Sequence, residues 1–211
     1  MPLFEHRGKS PQIDPSAYVA PTATLVGDVS IGPGSAVLFG AVLTAESGPV
    51  RVGKECVIME NAVLRGLARH PLTVGDHVLV GPQAHLSGCR LEREVFVATG
   101  ASIFNGALLE TGSIVKIQGI VHVRSRLSAD SVVPIGWIAV GDPAEILPPQ
   151  EDERLSRGLR ERNFRGTVFG LPRDASMSQV NSRYAASLQK YRHLGLVTHQ
   201  APDPEWTGST G

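Results

Sequence analysis

Residues 91–133 read LEREVF VATGAS IFNGAL LETGSI VKIQGI VHVRSR LSADSV V when broken every six positions. Each segment opens on an aliphatic residue: Leu91, Val97, Ile103, Leu109, Val115, Val121, Leu127 and Val133. Upstream the same period runs through Ile13, Val19, Leu25, Ile31, Val37 and Leu43, then Val52, Ile58 and Leu64, then Val74, Val80 and Leu86. A fixed short period sustained this far marks a solenoid rather than a globular arrangement of unlike elements. The residue two before the aliphatic is often small (Ala23, Ser35, Cys56, Ala84, Ala101, Ser113, Gly119), and glycine often follows it (Gly32, Gly53, Gly75, Gly81).

Physical chemistry accounts for the pattern. Three hexads make one triangular coil of three short strands, with the aliphatic pointing inward and the small residue fitting the corner. Coils stack about 4.8 Å apart through parallel ladder hydrogen bonds, and each buries its aliphatics only against its neighbours. The expected fold is an all-β solenoid over 1–147, with a C-terminal helical extension over 148–195 and a flexible tail over 196–211. Within the extension, 150–163 reads as a charged helix and 164–174 as a connector. Met177, Val180, Tyr184, Leu188 and Tyr191 recur at helical spacing, which predicts an amphipathic helix over 176–193 capped by Ser176. Two insertions interrupt the register, Thr44 to Arg51 and Arg65 to Thr73. Both leave the same corner, one coil apart, where solenoids tend to carry function.

Composition narrows the possibilities. The 20 basic and 20 acidic side chains cancel, so no basic surface points to nucleic acid or an anionic membrane. No apolar run approaches a membrane span, and Met1 to Ser10 lacks the apolar core of a secretory signal, so a cytoplasmic protein is expected. Two cysteines, Cys56 and Cys89, are too few for a disulfide framework.

The stretches FGAVLTAESGPVRVG (39–53), CVIMENAVLRG (56–66), HPLTVGDHVLVGPQAHLSGC (70–89) and VPIGWIAVGDPAEI (133–146) resemble the γ-class carbonic anhydrases. The resemblance implies left-handed winding, against the usual crossover rule, and a homotrimer with zinc or another divalent metal held by three histidines between subunits. Carried over position by position, those histidines fall on Arg65, Pro82 and Ser87. Proline has no donor atom and arginine is always a cation, so neither ligates a metal. Thr44 and Glu46 stand for the family's Arg and Asp, and Met59 and Glu60 for its Gln and Asp. No cofactor is therefore expected, with zinc entering only if His70 and His85 form a relocated site.

The residues left at that place supply the functional expectations. Glu60, Arg65, His70 and Ser87 are the catalytic candidates; Glu46, Glu60, Asn61, Arg65, Gln83 and Ser87, with Asn105, would line a pocket for a small carboxylate or bicarbonate. Arg65 alternatively forms an ion pair with Glu60, in its own chain or a neighbour. The ladder predicts an outward stack of Arg65, Ser87, Phe104 and His122, putting His122 about 9.6 Å from Ser87. His6, His77, His193 and His199 read as solvated surface residues. Three functions compete: a homotrimeric binding or assembly protein without CO2 hydration; an enzyme using the interface pocket on a carboxylate, thioester or bicarbonate; and a CoA-dependent hexapeptide acyltransferase with His70 as base.

Overall fold

The computed structural model describes residues 1–150 and 153–197. Short strands follow one another in threes and return to the same three faces, giving one ten-stranded and two seven-stranded sheets. On the first face Leu43 lies opposite Leu64, Leu64 opposite Leu86, and Ile103 opposite Val121. Val52–Val74 and Leu91–Leu109 pair on the second face, Ile58–Val80 and Val97–Val115 on the third. All these ladders are parallel, and the chain is a β-solenoid of about eight turns.

The six-residue register is what builds the core. Leu25, Leu43, Ile58, Leu64, Leu86, Ile103 and Leu109 are all fully buried in one continuous column, whereas Ile13 and Val19, in the end coil, are only partly covered. Serine is tolerated at a small-residue corner because its hydroxyl joins the ladder: Ser35 Oγ donates to the Gly53 carbonyl at 2.8 Å and accepts from Cys56 N–H at 2.9 Å. Cys56 and Cys89 are both buried free thiols, and burial pushes each thiol pKa up, so they are packing residues.

The two insertions stack on one another beside the first face. The N–H groups of Ser47 and Gly48 donate to the Gly66 carbonyl, each at 3.3 Å, and Ala68 N–H donates to Ser47 Oγ at 3.0 Å. The single missing residue between Leu86 and Leu91 falls at Gly88. Its φ is +52°, and a Cβ there would stand 2.6 Å from the Cβ of His70, so glycine is required for the second insertion to lie this close.

Beyond the last coil, Ile138–Gly141 and Ala144–Leu147 form an antiparallel hairpin. Among the described residues three helices follow: α1 (Glu153–Glu161), α2 (Phe164–Phe169) and α3 (Met177–Leu188), with a 3-10 turn over Gln189–His193. Ser176 caps α3 through a reciprocal capping box with Gln179. The expected connector over 164–174 instead contains α2. Asn163 caps that helix through Gly166 N–H, and Gly170 ends it in the left-handed region. Six residues hold too few turns for periodicity to announce them. Gly195–Val197 pairs antiparallel with Leu3–Glu5, so the first two residues of the expected tail form a strand. The remainder of that tail, including His199, lies outside the described residues, as do positions 151 and 152 of the expected charged helix. No described helix is long and apolar enough to cross a membrane.

Candidate functional site

The first face projects Thr44, Arg65 and Ser87 in direct ladder register, with Phe104 and His122 continuing the column. The Phe104 and His122 rings lie 6.4 Å apart. Helices α2 and α3 lie over this column. Phe164 meets Phe104 edge-on at 5.7 Å, Phe169 meets Phe164 at 6.4 Å, and Tyr184 meets Phe169 at 5.7 Å. The chain of rings ends at Arg65, whose guanidinium carbon is 5.9 Å from the Tyr184 ring centroid.

Arg65 is the electrostatic centre of the face. Its Nη2 donates both to Glu46 Oε2 and to the Tyr184 hydroxyl, and that hydroxyl lies 3.4 Å from the same carboxylate oxygen. Burial works against its charge, but the Glu46 hydrogen bond and charge more than offset this, and the guanidinium pKa rises above its ordinary value. Within the chain its partner is therefore Glu46 and not Glu60. Glu46 directly follows the neighbouring strand, where Thr44 pairs with Arg65 and Ala45 with Gly66, while Glu60 belongs to the corner before the first face.

Beside this pair is a cavity of about 410 Å³ between the first face, the second insertion, and helices α2 and α3. Of the expected site residues it gathers Glu46, Arg65, His70, His85, Ser87 and Asn105. Glu60, Asn61 and Gln83 are not among its walls. Asn61 and Gln83 occupy left-handed turn positions at the preceding corner, φ +58° and +59°, where Gln83 N–H donates to the Glu60 carbonyl at 2.9 Å. Their role there is to turn the chain. Pro82 lies on the far side of the same corner, in an apolar groove on the third face.

The pKa values of the histidines on and beside the first face are pushed down. Burial first, then the charge of Arg65, pushes the His85 pKa down; His70 is lowered by burial, Arg124 and Arg69, and His122 by burial and Arg162. His70 and His85 are the two imidazoles lining the cavity. Among the described residues, no group of three or more His, Cys, Asp or Glu is placed to hold a metal. Three protein ligands plus an open position is the usual catalytic zinc arrangement, and within one chain the cavity supplies two imidazoles.

His6 departs from expectation. It is 4% exposed, with Nε2 3.2 Å from the Glu46 carbonyl and its ring stacked 4.9 Å from Tyr191. Tyr191 in turn has its pKa pushed up to about 12, by burial first and by the Glu46 charge second. His77 pairs with Glu55 at the surface and His193 is exposed, as expected. Sequence reasoning did not single out Phe164, Phe169, Arg69 or Arg183 as site residues. Tyr184 was visible only as one member of an apolar stripe, from which Met177, 57% exposed, departs.

Comparisons with known proteins now bear on this geometry. No protein-family model matches the chain. Gamma carbonic anhydrase 2, mitochondrial, of Arabidopsis thaliana is 31% identical over 209 residues, covering 92% of this chain and 73% of the relative. Gamma carbonic anhydrase 1, mitochondrial, from the same plant is 33% identical over 154 residues, and there the match spans 70% of this chain but only 54% of the relative. A solved Bacillus cereus structure described as an acetyltransferase superposes with TM-score 0.54 at 22% identity, covering 89% of this chain and 97% of its own. That last likeness speaks for the fold alone.

Proposed function

The chain belongs to the gamma carbonic anhydrase family, and from that premise we propose a left-handed, homotrimeric binding protein that holds no zinc at the family site, does not hydrate CO2, and takes a small carboxylate or bicarbonate in the first-face cavity. The observation that carries this reading is Arg65. At a position where the resemblance calls for a metal histidine stands a cation that ligates no metal, paired with Glu46, held by Tyr184 and bordering a ligand-sized cavity whose other charged lining residues, Arg69 and Arg183, are both cationic. The third face supports assembly: Phe96, Ile117 and Ile135 are 39, 46 and 62% exposed around an apolar groove suited to a second copy.

Thermal melts at fixed ionic strength test the binding reading. Acetate or bicarbonate at a hundredfold excess over its dissociation constant should stabilise the folded protein by roughly 2.7 kcal/mol. No response to any anion would overturn it.

A second reading keeps catalysis without metal. It is favoured by His70 and His85, whose pKa values are pushed down first by burial and which border the same cavity as the Ser87 hydroxyl; either would serve as the general base that takes a proton from water attacking a bound carboxylate derivative or thioester, whose thiol or alcohol then leaves. Turnover of thioester substrates that disappears in His70→Ala or His85→Ala would favour it over simple binding; CoA-dependent acyl transfer lost in His70→Ala would favour the acyltransferase form.

A further inference from the structure

The charged groups lining the cavity are Glu46, Arg65, Arg69 and Arg183. Glu46 and Arg65 cancel one another. Arg69 and Arg183 are exposed at the mouth, and neither has an ion pair or hydrogen-bond partner among the described residues. The mouth therefore carries two uncompensated guanidinium groups, which attract an anion before it reaches the interior.

Behind the mouth the wall is aromatic. Phe104, Phe164 and Phe169 meet edge-on, and Phe164 is still 38% exposed, an unusual state for a phenylalanine at the centre of a ring cluster. The floor is small and polar: Ser87 is 4% and Asn105 1% exposed, and the Asn105 amide nitrogen has no hydrogen-bond partner. Apolar walls with few polar groups and a charged entrance select a particular shape of ligand. A bare inorganic anion would leave the phenylalanine wall unused, and a neutral apolar molecule would leave both arginines unpaired.

Building on the reading of this cavity as an anion site, we propose that its ligand is a carboxylate with an apolar, aromatic-sized body, its charged end held by Arg69 and Arg183 at the mouth while its body lies against Phe164 and Phe104. Arg65 then acts as a positioning residue. It keeps its pair with Glu46 and fixes α3 through Tyr184, so that Arg183, one residue earlier on that helix, faces the entrance. A planar guanidinium pair suits a carboxylate, which accepts two parallel N–H bonds.

Calorimetry and thermal melts of the full chain at fixed ionic strength, with acetate, benzoate and neutral benzamide as probes, test the proposal. Benzoate should bind about tenfold or more tighter than either acetate or benzamide. The double variant Arg69→Gln/Arg183→Gln, altering exposed side chains only, should melt like wild type without ligand and lose about tenfold or more in benzoate affinity. Phe164→Ala should erase the advantage of benzoate over acetate. Equal responses to acetate and benzoate, or full benzoate affinity in the double variant, would overturn this inference while leaving the anion reading standing. Silence toward every anion would overturn both.

Discussion

Two faces of the same prism share one inner column and differ completely outside. The first presents Thr44, Arg65, Ser87, Phe104 and His122, and the chain's own α2 and α3 are laid across it. The third presents Tyr18, Phe96 and Val132, with Phe39, Ile117 and Ile135 along its edge, all of them exposed. The inward aliphatics cannot distinguish the two, because the same hexad builds both. The outward residues do so. A face that the chain closes for itself retains a cavity with aromatic walls and a charged mouth, whereas a bare apolar face calls for another molecule. In this account the first face binds a ligand and the third joins subunits. Pro82, on the third-face side of the intervening corner, and Arg65 and Ser87, on the first face, fall on either side of that division.

The strongest perturbation should strike both faces at once. Leu64, fully buried beneath Arg65, belongs to the shared column. Leu64→Ala should cost about 2–5 kcal/mol in urea unfolding. A loss confined to α3, with the solenoid unchanged, would break the picture of one cooperative column.

Next in size is a change to the first face alone. Arg65→Ala leaves the Glu46 carboxylate, 11% exposed as a side chain, without its cation and frees Tyr184. Removing one partner of a fully buried pair costs about 3–5 kcal/mol. Arg65 keeps a 26% exposed side chain, so the lower part of that range or somewhat less is expected, with subunit mass unchanged. If the variant dissociates instead, Arg65 belongs to the subunit interface and the division of faces fails.

The reverse experiment addresses the third face. Ile117→Glu/Ile135→Glu replaces exposed residues, so the stability of the single chain should change by about 0.5 kcal/mol or less per site. Light scattering should nevertheless report a fall from trimer to monomer. A trimer that survives the double change would move the interface elsewhere.

The smallest effect is a pH dependence of the first face. The folded pKa values of His70, His85 and His122 are pushed below the ordinary 6.5, in each case first by burial. As pH falls below 6.5 the unfolded chain takes up protons before the folded one, so stability declines with acidification. The midpoint of melting should be lower at pH 5 than at pH 7, and His85→Gln should flatten part of that slope. An identical slope in the variant would remove His85 from the effect.

The same contrast explains what could be read from the sequence. Inward positions repeat every six residues, so the column, the coil boundaries and the two insertions were legible from Ile13 to Val133. So was the outward stack of Arg65, Ser87, Phe104 and His122, because ladder register follows from the period. Partners that meet across the chain were not. Glu46 reaches Arg65 from just past the end of the neighbouring strand, and Tyr184 reaches it from 119 positions away. His6 is buried because Tyr191 folds back over it. Nothing periodic encodes these contacts, and α2 is too short to have a period of its own. The mouth arginines were invisible for the same reason: only the placement of α3 brings Arg183 over the insertion that carries Arg69.

On the proposed reading, a fixed cation and an aromatic cavity occupy the place where the family resemblance calls for a metal. Protein expressed with supplemented zinc and purified without chelator should carry well under one zinc per chain and show no CO2 hydration above background. Stoichiometric zinc, stripped by chelator together with hydration activity and lost in His70→Ala or His85→Ala, would contradict the account.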